Sequence, residues 1–278
     1  MRIAITGSTG RVGSAIVDMA LADGHSLVCI DRVTPAAGVA PLPNTTFVQA
    51  EMSDYDTLLN AVRGCDALVH MAAIAAPGHH PDHVVHNNNV AGSYNALRAA
   101  AELGIKRVCQ ASSINAIGSA YSRMPRYDYF PVDELHPTYS EDPYSLSKWI
   151  CELQAESMVR RYEDMTIASL RFHGVVPDKS QMKRWDGNNG KTLSKHLWGY
   201  TLFEAAARAS LLSLTAEIHG AEVFFIVGPE STSEVPSLEL AKRHFPNVPV
   251  TGDLSGQRSF FNSSKAERLL GWKHPSGS

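Results

Sequence analysis

The chain is poor in the features that mark secreted, membrane-spanning and nucleic-acid-binding proteins. Its 278 residues include four cysteines without metal-ligand or redox spacing, so we expect reduced thiols in the core. No apolar run approaches the roughly 18 residues of a membrane span, and no signal peptide precedes the first strand. A net charge of −3 gives no electrostatic reason to expect nucleic acid or an anionic membrane as a partner. The sequence therefore predicts a cytoplasmic protein with neither of these partners.

Length and pattern instead favour a globular α/β protein. With 44% hydrophobic and 19% charged residues, the chain is long enough to bury a substantial core in one large domain or in one with a small appendage. Apolar runs of strand length alternate with segments of helical periodicity. These runs cover residues 2–6, 26–30, 46–50, 67–73, 106–113 and 223–227. The alternation predicts one doubly wound, mainly parallel sheet with helices on both faces.

The rest of the chain is organised around a glycine-rich turn between the first strand and the first helix. Gly7 and Gly10 allow the backbone to approach a pyrophosphate closely, and Gly13 lets the helix pack against the strand. The unpaired N–H groups at the start of the helix then favour an anion. Taken alone, three glycines are also compatible with an ordinary tight turn.

An acid at the end of the second strand strengthens the dinucleotide interpretation. Strand 26–30 ends at Asp31, about 20 residues after the glycines, where a carboxylate accepts hydrogen bonds from both ribose hydroxyls of an adenosine. The same negative charge would repel a 2′-phosphate. We therefore expect NAD as the cofactor, with Arg32 as the one neighbouring residue that favours NADP.

Three polar side chains at the centre of the chain suggest acid–base chemistry. Ser112 and Ser113 end the fifth strand, at the sheet edge where ligands bind. Tyr144 and Lys148 stand one turn apart on one helix face, so the ammonium stabilises a tyrosine anion that otherwise forms only near pH 10. We expect Ser113, Tyr144 and Lys148 to be the catalytic residues.

These motifs resemble the extended short-chain dehydrogenases/reductases, the NAD-dependent epimerase/dehydratase family. The resemblance rests on Thr6-Gly7-x-x-Gly10-x-x-Gly13, His70-x-Ala72-Ala73, Asn89-Val90-x-Gly92-Ser93-x-Asn95 and Tyr144-x-x-x-Lys148. It implies a Rossmann-type fold, NAD and a sugar-like substrate. The implied cofactor-binding residues are Gly7, Thr9, Gly10, Arg11, Val12, Gly13, Asp31, Arg32, Glu51, Met52, Met71, Ala72, Ala73, Asn89, Tyr144 and Lys148.

Two of these implied residues have alternative roles. Glu51 either lies beside the adenine or is a solvated carboxylate at the end of a strand. Asn89 lies on a long helix from about residue 82 to residue 103, where the resemblance implies a largely structural amide close to Lys148.

The substrate end resembles the uronate dehydrogenases, which are short members of the same family. The implied substrate-binding residues are Ala75, Ser113, Ile114, Asn115, Arg171 and His173. Arg171 either meets a substrate carboxylate or is a buried arginine paired with an acid. Ile114 and Asn115 replace the Asn-His of uronate dehydrogenases, so the pattern indicates a small polar substrate rather than uronate itself.

Three function classes remain open, and we favour an NAD-dependent dehydrogenase or reductase. A sugar or nucleotide-sugar epimerase or dehydratase is the first alternative. Ile117 and His173 stand where epimerases have Tyr and Asn, and the segment after Pro177 is short for a nucleotide-diphosphate grip. A non-enzymatic NAD-binding sensor is the second alternative, and the Tyr144 and Lys148 pair argues against it.

The sequence also indicates two domains, no metal and a homodimer. We expect residues 1–174 to form the NAD-binding domain with the catalytic residues, and residues 175–278 to supply a small substrate-side subdomain and closing elements of the core. The histidines between residues 77 and 86 favour a loop that lines the site over a metal site, so we expect no metal. Two long helices, at about 82–103 and 144–162, form a dimer interface in the family and imply a homodimer.

Overall fold

Within residues 1–34, 42–185 and 191–275, which the computed structural model describes, seven parallel strands form one sheet and two short strands pair separately. In chain order the strands are β1 (Arg2–Thr6), β2 (Ser26–Asp31), β3 (Thr45–Gln49), β4 (Ala67–His70), β5 (Arg107–Ser113), β6 (Thr166–Phe172), β7 (Val175–Val176), β8 (Thr201–Leu202) and β9 (Gly220–Ile226). The Pro/Ala-rich loop after Asp31, part of the segment after Pro177 and the last three residues lie outside the described ranges.

The order of the strands confirms the predicted Rossmann-type class. The sheet runs β3-β2-β1-β4-β5-β6-β9, and β7 pairs with β8. The chain moves outward from β1 to β3, returns to the other side of β1 at β4, and continues outward to β6. This reversal opens a crevice at the carboxyl ends of β1 and β4, which is where open α/β sheets bind ligands.

Helices cover both faces of the sheet. They are α1 (Arg11–Ala22), α2 (Tyr55–Val62), α3 (Asp82–Glu102), α4 (Pro143–Arg161), α5 (Lys191–Lys195), α6 (Phe203–Ser213), α7 (Ser237–His244) and α8 (Ser264–Leu270). Because side chains alternate along a strand, Ile3 and Ile5 of β1 pack in the layer with α1, α6 and α8, whereas Ala4 packs in the layer with α2, α3 and α4. None of the described helices is long and apolar enough to cross a membrane.

Helix α2 begins at Tyr55, where the Asp54 side chain accepts a hydrogen bond from the Thr57 N–H. That bond is a helix N-cap. The residues before it form a turn that leaves Glu51 and Met52 at the end of β3.

A third apolar cluster lies on the substrate side. It combines residues from the segment after β5 with residues from the second half of the chain: Ile114, Ile117, Tyr127, Phe130, Val132, Leu193, Leu197, Trp198, Phe225, Val227, Leu240, Ala241, Leu254, Phe260 and Phe261. Strand β9, from the second half, is also a member of the main sheet. Residues before and after residue 174 therefore pack together in this cluster and in the main sheet. The division of the chain into two domains at residue 174 stays a proposal.

Helix α4 is held against β5 by three hydrogen bonds that we call the polar seam. They join Gln110 Nε2 to Cys151 O (2.9 Å), Lys148 Nζ to Ala111 O (2.8 Å) and Ser112 Oγ to Glu152 Oε1 (2.5 Å). Three consecutive strand residues are thereby matched to one helix face. The seam fixes the register of the helix that carries Tyr144 against the strand that ends in Ser113.

A buried ion pair continues the seam to β6 and corrects one expectation. The guanidinium of Arg171 donates from Nε and Nη2 to the two oxygens of Glu152, both at 2.8 Å, and both side chains are about 5% exposed. Arg171 is therefore the buried arginine paired with an acid, and the expectation that it meets a substrate carboxylate is wrong. The two nitrogens of its bidentate fork, Nε and Nη2, are used inside the protein.

We predict that removing one member of this pair destabilises the protein strongly. Arg171→Met leaves the Glu152 carboxylate buried without its partner, which costs about 3–5 kcal/mol of unfolding free energy. The double variant Arg171→Met/Glu152→Gln should recover most of that loss, because no unpaired charge remains. Urea unfolding of the wild type, both single variants and the double variant measures the coupling.

Arg160 and Glu156 provide a matched control on the same helix. Their ion pair has a similar length, 2.8 Å, but the side chains are 73% and 47% exposed. Arg160→Met should therefore change the unfolding free energy by less than about 0.5 kcal/mol. An Arg171→Met variant no less stable than Arg160→Met would contradict a structural role for the buried pair.

Candidate active site

The carboxyl ends of the central strands border one cleft of about 560 Å³. It contains the predicted residues that follow β1, β2 and β3, namely Gly7, Thr9, Gly10, Arg11, Val12, Gly13, Asp31, Arg32, Glu51 and Met52. It also contains those associated with β4, β5, α4 and β6, namely Met71, Ala72, Ala73, Ala75, Ser113, Ile114, Asn115, Tyr144, Lys148 and His173. The structure thus brings the expected cofactor and catalytic residues together, apart from Asn89 and Arg171.

The glycine turn is shaped by backbone contacts that exclude side chains. Gly7 has φ +69°, and a Cβ on it would lie 2.7 Å from the Ala72 nitrogen. A Cβ on Gly13 would lie 2.0 Å from the Gly7 carbonyl oxygen. Gly10 precedes α1 without a side-chain cap, so the N–H groups of the first turn are left for a ligand in the cleft. This cradle fits the pyrophosphate of a dinucleotide.

Asp31 is positioned to bind a ribose. Its carboxylate accepts hydrogen bonds from the backbone N–H groups of Thr9 (3.0 Å) and Val33 (3.2 Å), which fix its orientation beside the glycine turn. Each carboxylate oxygen has a further lone pair for a ribose hydroxyl. Glu51 and Arg32 also line this end of the cleft, as expected.

A neutral histidine, His70, supports the residues after β4 that line the middle of the cleft. His70 lies at the end of β4, and its Nδ1 is 2.8 Å from Thr6 Oγ1. The same hydroxyl accepts a hydrogen bond from the Ala72 N–H at 3.3 Å. Burial, with a smaller contribution from Lys148, lowers the pKa of His70 to about 3. A neutral imidazole therefore braces the small residues after β4 without adding charge beneath the site.

The predicted catalytic residues Ser113, Tyr144 and Lys148 line the same cleft. Ser113 Oγ accepts a hydrogen bond from the Asn115 N–H at 3.1 Å. Lys148 Nζ lies 5.9 Å from the centre of the Tyr144 ring. Asp142 caps α4 by accepting from the N–H groups of Tyr144 and Ser145, both at 3.0 Å. The helix cap and the polar seam together set these positions.

Burial governs the protonation of this group. It raises the pKa of Tyr144, against a smaller lowering by the Ser113 hydrogen bond, so the phenol is protonated at neutral pH. Burial also lowers the pKa of Lys148, which the nearby Cys151 and Glu152 partly oppose. Tyr144 is therefore protonated in this site, and additional positive charge nearby would favour its anion.

Asn89 is a structural residue here, which corrects its expected place among the cofactor ligands. Its Nδ2 donates to Ile74 O and to Ser147 Oγ, both at 3.0 Å. Its Oδ1 accepts from the Ile74 N–H at 2.8 Å and from the amide of Asn88 at 3.1 Å. All four hydrogen-bonding positions of the amide are used. The neighbouring Asn88 lines the cleft instead.

His173 lies at the cleft, but its ring nitrogens are bonded to the backbone. Nε2 is 2.8 Å from the His196 carbonyl, and Nδ1 accepts from the Gly174 N–H at 2.6 Å. Burial lowers the pKa of His173 to about 3, so the ring is neutral. His173 therefore shapes this end of the cleft through its ring rather than through a free nitrogen.

The cleft also contains residues that the sequence did not indicate. Tyr121, from the long segment after β5, packs its ring against Tyr144, and His196 and Phe203 come from the second half of the chain. For Tyr121, the sequence signal is the length of the segment between Gly118 and Asp142, which is typical of a functional loop. Among the described residues, no group of three or more His, Cys, Asp or Glu side chains gathers as metal ligands.

Comparison with known proteins identifies relatives that match about two thirds of this chain. A putative UDP-glucose 4-epimerase of Methanocaldococcus jannaschii is 29% identical over 185 residues, which are 65% of this chain and 58% of that protein. A dTDP-6-deoxy-L-talose 4-dehydrogenase (NAD(+)) of Aggregatibacter actinomycetemcomitans is 27% identical over 184 residues, which are 64% of this chain and 63% of that protein. The chain thus matches about three fifths of the length of these relatives.

A solved structure of a mutated uronate dehydrogenase shares the fold. It superposes with a TM-score of 0.70 over all of this chain and 82% of the other, at 21% sequence identity. A model of the NAD-dependent epimerase/dehydratase family matches residues 3–187, well over half of the sequence. These findings confirm the family and the NAD cofactor predicted from the glycine turn and Asp31. The chain belongs to the NAD-dependent epimerase/dehydratase family.

Proposed function

We propose that the chain is an oxidoreductase that transfers a hydride between NAD and a small polar substrate, sugar-like or with a hydroxyl or keto group. The observation that supports this most is the position of Ser113, Tyr144 and Lys148 in the same cleft as the glycine turn and Asp31. An acid–base group beside a cofactor cradle serves turnover, and a sensor has little use for it. This argues against the non-enzymatic alternative.

The chain's own residues would carry the proton in this reaction. When bound, NAD supplies the hydride acceptor at the nicotinamide ring. In the oxidising direction, the Tyr144 anion takes the proton of the substrate hydroxyl. A hydride leaves the carbon that bears this hydroxyl for the cofactor, and the carbon becomes a carbonyl. Ser113 holds the reacting oxygen through a hydrogen bond, and the Lys148 ammonium stabilises the tyrosine anion. Protonated Tyr144 returns the proton in the reducing direction.

Net oxidation or reduction accounts better for the substrate end than epimerisation does. Ile117 is fully buried in the third apolar cluster, so no tyrosine hydroxyl enters the cleft from that position. His173 keeps both ring nitrogens on the backbone. An epimerase remains the alternative, because one of the relatives described above is a putative UDP-glucose 4-epimerase. Release of NADH distinguishes the two functions.

We predict that Tyr144→Phe abolishes turnover and keeps cofactor binding. Loss of the proton acceptor should reduce kcat by at least about 100-fold. Because burial raises the pKa of Tyr144, oxidation by the wild type should become faster as the pH rises and the phenol deprotonates. The measurement is NADH absorbance with sugars, uronic acids, small hydroxy acids and UDP-glucose across a pH series. Undiminished activity in Tyr144→Phe would remove this residue from the mechanism.

We predict a preference for NAD over NADP of at least about tenfold, which needs only 1.4 kcal/mol. Asp31 would accept charge-assisted hydrogen bonds from the ribose hydroxyls and would repel a 2′-phosphate. Asp31→Ser should weaken NAD binding and narrow the preference, whereas Arg32→Ser should leave NAD binding nearly unchanged. Fluorescence titration with NADH and NADPH measures both affinities. Equal or tighter binding of NADPH by the wild type would overturn the role of Asp31.

We further propose a homodimer in which α3 and α4 pair with their counterparts. These two helices pack side by side on one face of the sheet, and Tyr94 and Leu153 are large side chains exposed on them, at 46% and 41%. Light scattering at micromolar concentration should return twice the mass of one chain, and Leu153→Glu should shift it toward one chain. A wild type with the mass of a single chain would remove this proposal.

A further inference from the structure

We propose that Tyr121 is a second tyrosine of the active site, which binds a substrate oxygen on the carbon next to the reacting one. It lies in the segment after β5, four residues beyond the buried Ile117. Tyr121 is 38% exposed, and its exposed part lines the cleft that contains Ser113 and Tyr144. This inference rests on the proposed function, because it assigns a substrate contact at the same site.

The backbone on both sides of Tyr121 is fixed by hydrogen bonds. Before it, the Ala120 N–H donates to Asn115 Oδ1 at 2.8 Å. After it, Lys195 Nζ donates to the carbonyl oxygens of Ser122 and Arg123, at 2.8 and 2.9 Å. A tyrosine between two tethered neighbours keeps its position when substrate enters. Such preorganisation distinguishes a binding residue from a tyrosine on a mobile loop.

The turn that brings Tyr121 to the cleft is itself constrained. Gly118 ends the short 3-10 helix after β5 with φ +81°, and a Cβ there would lie 2.4 Å from the Tyr139 carbonyl group. Ser119 Oγ donates to the Lys195 carbonyl at 2.9 Å. The chain therefore leaves the 3-10 helix in one direction, toward the cleft.

The ring of Tyr121 packs edge to face against Tyr144. The two ring centres are 5.6 Å apart and the planes meet at 86°, a favourable geometry for an aromatic pair. This contact restricts the movement of the Tyr144 ring. Because the two rings touch and both residues line the cleft, we assign the Tyr121 hydroxyl a contact beside the substrate oxygen that Tyr144 and Ser113 would hold.

The chemistry of the phenol defines the class of substrate. Within the described residues, no hydrogen-bond partner of the Tyr121 hydroxyl is found, so the group is free to bind a ligand. Burial and the nearby Asp142 raise the pKa of Tyr121, which keeps it a donor at neutral pH. A protonated phenol beside the reacting oxygen suits a neighbouring hydroxyl. We therefore infer that Tyr121 binds a hydroxyl on the carbon next to the reacting one.

The test pairs hydroxylated sugars with their deoxy analogues. D-glucose and D-galactose are compared with 2-deoxy-D-glucose and 2-deoxy-D-galactose, using the wild type, Tyr121→Phe and Tyr121→Leu. Tyr55→Phe is the matched control, because Tyr55 begins α2 and lies outside the residues that line the cleft. NADH absorbance gives kcat and KM, and NADH fluorescence gives the affinity of the enzyme–NADH complex for each sugar.

Tyr121→Phe removes the hydroxyl and keeps the ring. It should raise KM for the hydroxylated sugars roughly 3- to 10-fold, the effect of one hydrogen bond, and leave KM for the deoxy sugars unchanged. Tyr121→Leu should in addition lower kcat, because Tyr144 loses its aromatic neighbour. Tyr55→Phe should match the wild type on every sugar.

If the wild type and Tyr121→Phe showed the same ratio of KM between hydroxylated and deoxy sugars, the contact of Tyr121 would be overturned. The proposed oxidoreductase function would not be affected. Oxidation of hydroxy acids without binding of any of the four sugars would do the same. Interconversion of UDP-glucose without net NADH, slowed by Tyr121→Phe, would instead overturn net oxidation and support the contact. The two failures are therefore distinguishable.

Discussion

The geometry of the proposed catalytic group depends on the polar seam between α4 and β5. A helix that carries a tyrosine and a lysine is useful only if both side chains meet the serine at the end of the strand, and a shift of one helical turn would separate them. The seam prevents that shift because Gln110, Ala111 and Ser112 are each bonded to a different position of α4. Its charged member, Glu152, is held in turn by Arg171 of β6. The helix and two strands thus act as one rigid support.

The cleft combines two kinds of rigidity. At the cofactor end, the backbone itself is the binding surface, since the contacts of Gly7 and Gly13 leave no room for side chains and the first turn of α1 is left open. At the substrate end, side chains shape the surface, and several are held by the protein before any ligand arrives. His173 and Asn115 both bond neighbouring backbone, and Tyr121 packs on Tyr144. The first end is common to dinucleotide folds, and the second carries the specificity.

Local patterns in the sequence predicted the parts of the structure that depend on near neighbours. The glycine turn, Asp31 and the one-turn spacing of Tyr144 and Lys148 lie within single strand–turn–helix units, and all of these residues line one cleft. The errors arose where distant residues meet. Arg171 meets Glu152 on another element, and the Asn89 amide is used by the backbone of Ile74. Tyr121 belongs to an irregular segment without periodicity, so its contact with Tyr144 appears only in the folded chain.

In the proposed reaction, a hydride leaves the substrate carbon and remains on the cofactor. The most direct measurement follows a deuterium label placed on the reacting carbon of a sugar that the wild type converts. We expect one deuterium at C4 of the nicotinamide in released NADH for each carbonyl formed, as measured by NMR. Deuterium that returns to the same sugar carbon with inverted configuration, without released NADH, would contradict it.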